Sequence, residues 1–137
     1  MAFVLDASVA IAWCFEQEPG SALDLLHQRL ETDLAPIVPS IWPLEVANAV
    51  LMAEKRRRID GPGRVAALRQ LEALEAEIDD EAGGLPLSVL AELALHHGLT
   101  VYDAAYLELA LRRGLPLASL DSALVAAARA AGVETLL

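Results

Sequence analysis

Four acidic residues stand out by what surrounds them. Asp6 closes the apolar run Ala2-Phe3-Val4-Leu5, and Glu45 follows Pro43-Leu44. Asp103 follows Thr100-Val101-Tyr102, and Asp121 follows Leu117-Ala118-Ser119-Leu120. Apolar neighbours make partial burial the expectation for each. Carboxylates gathered in such surroundings raise one another's pKa unless a positive charge compensates. No lysine adjoins them; the only one in the chain is Lys55. A divalent cation is the simplest compensator. An oxygen-only donor set favours a hard ion, Mg²⁺ or Mn²⁺, that keeps several of its waters. Such an ion can activate water and bind a phosphate, so the chemistry suggested is hydrolysis of a phosphodiester bond.

These acids can act together only if the chain brings them to one place. Ala2–Leu5 is a short apolar run without alternation, the pattern of a buried parallel strand. A helix is expected over 7–15 and an amphipathic one over 22–31, where Ser21-Ala22-Leu23-Asp24 has the form of a capping box. A second strand is expected over 35–38. Ser40 is placed to cap a long helix over 41–57, with Pro43 harmless in its first turn. Asp60-Gly61-Pro62-Gly63 suggests a turn, and Val65, Leu68, Leu71, Leu74 and Ile78 then form an apolar seam for another helix. Glu77–Asp79 carries a fainter strand pattern. Helices are expected over 87–97, stopped by Gly98, over 102–113, capped by Thr100 and stopped by Gly114, and over 122–131. Strands are expected over 116–119 and 133–136. The alternation specifies an α/β domain with a mainly parallel sheet, with residues 41–78 as a helical pair outside it. In such a sheet the strand-to-helix junctions share the carboxyl edge, where ligands bind. At least three of the four acids should therefore meet there.

Each acid also has a plain structural role open to it. Asp103 completes a capping box with Thr100, Asp121 and Asp6 can be helix N-caps, and Glu45 suits the positive end of a helix. The other acids divide differently: Glu72, Glu75, Glu77, Asp79, Asp80 and Glu81 suggest a solvated face on one helix and its exit. With 137 residues, 55% of them hydrophobic, the chain suits one compact domain over 1–137 and excludes a disordered one. A formal charge of −10 argues against a simple basic-patch nucleic-acid binder. One cysteine, Cys14, excludes a disulfide framework and suits a reducing cytoplasm, and no apolar stretch suggests a signal peptide or membrane span. His27, His96 and His97 lack metal-ligand spacing, and the glycines form no phosphate loop.

The local sequences resemble the PIN-domain ribonucleases, and within them the VapC toxins of toxin–antitoxin pairs, over nearly the whole chain. Val4-Leu5-Asp6-Ala7-Ser8 resembles that family's opening strand with its Asp-x-Ser/Thr. Pro43-Leu44-Glu45-Val46-Ala47-Asn48 resembles its Glu helix. Leu99-Thr100-Val101-Tyr102-Asp103-Ala104-Ala105-Tyr106 is the most specific block, and Leu117-Ala118-Ser119-Leu120-Asp121 resembles the closing Ser/Thr-x-Asp, with Ser119 where Thr is frequent. The resemblance implies a PIN-like fold with sheet order 3-2-1-4-5. It implies that Asp6, Glu45, Asp103 and, less directly, Asp121 hold one or two Mg²⁺ or Mn²⁺ ions, with Ser8, Asn48 and Ser119 orienting carboxylates or water behind them. The implied activity is RNA phosphodiester hydrolysis by metal-activated water. The implied partners are a VapB-like antitoxin that fills an apolar groove, and a second copy of the chain, with helices 22–31 and 41–57 and Trp42 as interface elements. A heterotetramer or larger assembly follows. Lys55-Arg56-Arg57-Arg58, the only basic run, either caps the end of its helix or contacts the RNA backbone.

Other functions fit less well. A receiver domain would want an acidic pair after the first strand and a lysine near the last, and neither is present. A phosphohydrolase of the haloacid-dehalogenase type would want Asp-x-Asp, and Ser8 occupies the second position. A housekeeping PIN nuclease without an antitoxin is the alternative enzyme, and an inactive PIN-like binding module the alternative without activity.

Overall fold

A computed structural model describes all residues from 1 to 137. Its sheet has four parallel strands: β1 (Ala2–Leu5), β2 (Ala35–Pro39), β3 (Glu77–Asp79) and β4 (Leu117–Ala118), in the order β3-β2-β1-β4. β1 lies at the centre and is fully buried at Phe3, Val4 and Leu5, as its uninterrupted apolar run requires. The fifth strand expected over 133–136 is reduced to a single parallel bridge, Leu117 to Thr135. Two backbone bonds flank it: the Leu117 amide donates to the Glu134 carbonyl at 2.9 Å, and the Leu136 amide to Leu117 at 3.0 Å. The chain thus runs along the edge of β4 at the fifth position without extending the ladder.

Helices cover the sheet: α1 (Ala7–Trp13), α2 (Ala22–Arg29), α3 (Trp42–Lys55), α4 (Gly61–Glu72), α5 (Leu87–His97), α6 (Val101–Arg113) and α7 (Ser122–Ala130). α6 is the most deeply set, with Ala104 to Ala110 all buried. The helical pair expected outside the sheet is α3 with α4. Several details differ from expectation. Ser40 does not cap α3; Ile41 takes the N-cap position without a side-chain bond. Asp60 to Gly63 is the start of α4 rather than a separate turn, because Asp60 Oδ1 accepts the Gly63 amide at 2.7 Å and caps the helix. A Cβ at Gly63 would stand 3.0 Å from that same oxygen, which explains the glycine. The apolar seam ends with the helix at Glu72; Ile78 lies on β3 and is exposed.

α3 ends in a Schellman turn. The Arg57 amide donates to Glu54 and the Arg58 amide to Ala53, both at 2.9 Å, and Arg57 takes φ = 57°. Gly98 and Gly114 take the same left-handed conformation at the ends of α5 and α6, as expected. Trp42, an expected interface element, is instead a core residue, 7% exposed.

The acidic stretch after α4 is not one solvated face. Asp79 is buried on β3, and Arg112 of α6 holds it with two bonds of 2.8 and 3.1 Å. The same guanidinium reaches buried Glu108 at 2.6 Å and exposed Glu81 at 2.8 Å. These bonds, Arg112's above all, hold the Asp79 carboxyl below the usual carboxylate range. The edge strand β3 is thereby clamped to α6.

Candidate active site

The site begins where β1 ends. The β1–β4 register pairs Val4 with Leu117 and Leu5 with Ala118, so the next residues, Asp6 and Ser119, stand abreast at the carboxyl edge. Asp6 is the N-cap residue of α1, but its side chain does not cap that helix. Its Oδ2 accepts two hydroxyls instead, Ser8 Oγ at 2.5 Å and Ser119 Oγ at 2.7 Å. The hydroxyls are held from behind: the Leu120 amide donates to Ser8 Oγ at 2.9 Å and the Asp121 amide to Ser119 Oγ at 3.0 Å. A buried carboxylate thus has one oxygen fixed by two donors.

Glu45 stands in the first turn of α3, reached from the end of β2. Asp103 stands in the first turn of α6, where Thr100 caps the helix by accepting the Asp103 amide at 3.1 Å. Asp121 caps α7, accepting the Leu124 amide on Oδ1 at 3.0 Å. The capping roles of Thr100 and Asp121 are therefore real, and the one open to Asp6 is not. Capping occupies one oxygen of Asp121 and does not exclude a second use.

The electrostatics join the four acids into one group. Burial, first of all, raises the Asp6 carboxyl above its usual pKa; Ser8 and Ser119 oppose this, and the Asp121 charge adds to it. Burial likewise raises Glu45, with Tyr106 opposing and Asp6 and Asp103 adding. It also raises Asp103, and the charges of Asp121 and Asp6 push the same way. Every ion pair of the molecule lies elsewhere, so no lysine or arginine neutralises this edge. No three of its His, Cys, Asp or Glu side chains converge closely enough to grip an ion as they stand. The donor chemistry fits a hard divalent cation: oxygen only, three groups short of positive charge, and one of them held rigidly by hydroxyls.

Other expected residues fall in different places. Asn48 shares an open depression of about 430 Å³ with Glu45, Thr100, Tyr102 and Asp103. The hydrogen-bond partner of Glu45, however, is Tyr106, whose hydroxyl donates to Oε1 at 2.7 Å. Sequence reasoning missed this residue. The available signal was a tyrosine one turn after Asp103 in an apolar helix, since a buried phenol needs an acceptor. Lys55 to Arg58 lie at the far end of α3, ten residues and about 15 Å along the axis from Glu45. Arg58 rests its guanidinium 5.2 Å above the centre of the Phe15 ring. An apolar cleft of about 480 Å³ opens between α1, α3 and α4, lined by Ile11, Phe15, Met52 and Ala67 among others, and contains none of the four acids.

The comparisons with known proteins bear on this arrangement. The family model for the PIN domain matches residues 3–130. The chain belongs to the PIN-domain family. Members of this family are generally nucleases. Among solved structures this PIN domain is similar to PAE2754 from Pyrobaculum aerophilum, with a TM-score of 0.70 and 24% identity over 99% of this chain and 84% of that one. It is also similar to FitAcB from Neisseria gonorrhoeae, with a TM-score of 0.65 and 18% identity over 98% of this chain and 96% of that one. No curated protein sequence matches it significantly. No helix is long and apolar enough to cross a membrane.

Proposed function

We propose that the chain, acting as a single domain over 1–137, is a metal-dependent endoribonuclease of the VapC type, the toxin of a toxin–antitoxin pair. One observation carries the reading: in this PIN domain Asp6, Glu45, Asp103 and Asp121 each stand at the start of a helix, Asp6 and Asp121 just past the ends of neighbouring strands, and none of the four is in an ion pair. Asp6, Glu45, Asp103 and Asp121 would hold the ion, and Ser8 and Ser119 fix Asp6 for that task. Asn48, at the rim of the same depression, would orient water or substrate. A bound Mg²⁺ or Mn²⁺ neutralises charge at the phosphate and makes water a better nucleophile near neutral pH. The protein's own contribution is to bring the carboxylates to one edge and to fix Asp6 there through Ser8 and Ser119 before substrate arrives. Lys55 to Arg58 would meet RNA phosphates a few nucleotides from the cut.

Two features support the expected partners. Leu44 and Leu51 lie seven residues apart on one face of α3 and are exposed, which suits pairing with a second copy. The apolar cleft between α1, α3 and α4 suits a segment of an antitoxin whose basic side chain would compete for the acids. The single cysteine, Cys14, suits action in a reducing cytoplasm.

The test is cleavage of total RNA by the purified chain. With Mn²⁺ the wild type should cut, and with EDTA, or as Asp6→Asn or Asp103→Asn, it should lose about 100-fold or more in rate. Cutting by Asp6→Asn at the wild-type rate would defeat the proposal. Co-expression with the neighbouring small reading frame tests the toxin reading: growth arrest that this frame fails to relieve counts against it.

A further inference from the structure

Tyr106 is fully buried and belongs to the core cluster, yet its one polar atom is not spent on the core. Its hydroxyl donates across the molecule to Glu45, from α6 to α3. The bond is enforced from both sides. A phenol has one proton to give, and buried without an acceptor it would be left unpaired. Glu45, half-buried, has no basic partner to hold it. The bond engages Oε1 and leaves Oε2 without a hydrogen-bond partner. The same helix carries Asp103 one turn earlier, so α6 bears one candidate acid directly and steadies a second through Tyr106.

We propose that Tyr106 is a positioning residue for Glu45. It holds the carboxylate so that Oε1 serves the phenol and Oε2 is offered to the divalent cation, in a relation to Asp103 set by the rigid helix that carries both Asp103 and Tyr106. The proposal rests on the metal-dependent reading above. Partners that orient ligands from behind are worth about 10–100-fold in metal affinity. The ordering of a flexible glutamate is then complete before the ion binds.

The experiment is a Mn²⁺ titration of the full chain without RNA, followed by loss of the free-ion EPR signal. It compares wild type, Tyr106→Phe, Glu45→Gln and the double variant, with thermal unfolding of each. Tyr106→Phe removes one oxygen and keeps the ring in place. It should weaken Mn²⁺ binding about tenfold or more while unfolding as a cooperative domain. In the Glu45→Gln background the same change should cost nothing further, because the carboxylate it serves is gone. Unchanged binding in Tyr106→Phe overturns the proposal. So does an equal loss in the Glu45→Gln background, which would mean that Tyr106 acts through packing at large. Loss of the fold in Tyr106→Phe overturns it as well, by making the hydroxyl a requirement of the core. RNA cleavage by the wild type separates this from the nuclease reading. Tenfold weaker Mn²⁺ binding in the variant with no cleavage by wild type sinks the nuclease and keeps the positioning role. Cleavage by wild type with unaltered binding in the variant does the reverse, and no Mn²⁺ binding by wild type sinks both.

Discussion

Replacing Arg112 with methionine tests the charge cluster that clamps β3 to α6. The substitution keeps most of the aliphatic stem and deletes the fork that serves Asp79, Glu108 and Glu81. The Asp79 side chain is 4% exposed and that of Glu108 9%, so two carboxylates would be left in poor contact with water. Breaking a buried pair in this way costs about 3–5 kcal/mol. Arg112 is itself 24% exposed, and Arg113 stays 3.5 Å from Asp79, so the lower end, about 3 kcal/mol, applies. With an unfolding entropy near 2 cal/mol/K per residue, that corresponds to a fall in Tm of about 10 °C for a chain of this length. The pH dependence gives a second handle. Because Arg112 depresses the folded pKa of Asp79, the stabilisation is present above the ordinary carboxylate range and is lost as pH falls through the depressed value. In the variant, Asp79 loses its main counter-charge and is relieved by protonation. The gap in Tm between wild type and Arg112→Met should therefore be widest near pH 7 and close toward pH 4. Asp79→Asn with Glu108→Gln in the same background should recover much of the loss. A fall of less than about 3 °C at pH 7, or a gap that does not change with pH, refutes the reasoning.

Two further outcomes follow from the site and from α3. The raised carboxyls of Asp6, Glu45 and Asp103 favour the folded state when protonated; that contribution is present below the ordinary carboxylate range and is lost as pH rises through their raised values. In EDTA, Asp6→Asn or Asp103→Asn should therefore lose less stability than wild type between about pH 4 and 7, measured as Tm against pH; parallel curves would show that burial and the neighbouring charges do not raise these carboxyls. Arg57→Gly relieves a left-handed residue at the end of α3 and should raise stability by about 1 kcal/mol in urea unfolding, whereas Arg57→Val should lower it.

What could be seen in the sequence was whatever depends on neighbours along the chain. The caps at Ser21, Thr100 and Asp121, the stops at Gly98 and Gly114 and the buried run of β1 all follow from residues within a turn or two of one another. The edge on which the acids meet followed from topology alone. What could not be seen depends on residues far apart. β3 has one apolar residue, Ile78, and that one is exposed; the strand is held by the β2 ladder and by Arg112, 33 positions from Asp79. Ile78 therefore looked like the end of a helical seam. Ser8 and Ser119 come from the family resemblance, whose motifs place each two residues from a candidate acid. For Tyr106 the sequence offers a buried phenol in need of an acceptor but not which acceptor, because Glu45 is 61 positions away. The fifth strand failed for a different reason: after Val133 the chain leaves the ladder once Leu117 is paired, and an apolar run does not report how far its partner extends.

The arrangement of α6 explains how an acidic chain can keep an acidic site. Uncompensated carboxylates at one edge destabilise the fold, and the chain's one basic run lies about 15 Å along α3 from Glu45. α6 separates the two demands along its length. Its first turn, where the helix dipole favours negative charge, carries Asp103, and its last turn carries Arg112 and Arg113. Between them seven consecutive buried residues anchor the helix in the core. The arginines at the far end bind Asp79 and Glu108, acids whose role is structural, and so fix the helix without approaching the site. The near end is left free of cations. A cationic side chain placed there would relieve the repulsion, but it would also occupy the position proposed above for a divalent ion. The Arg112 cluster thus fixes α6 at one end, and the acids at its other end are left without a cationic side chain.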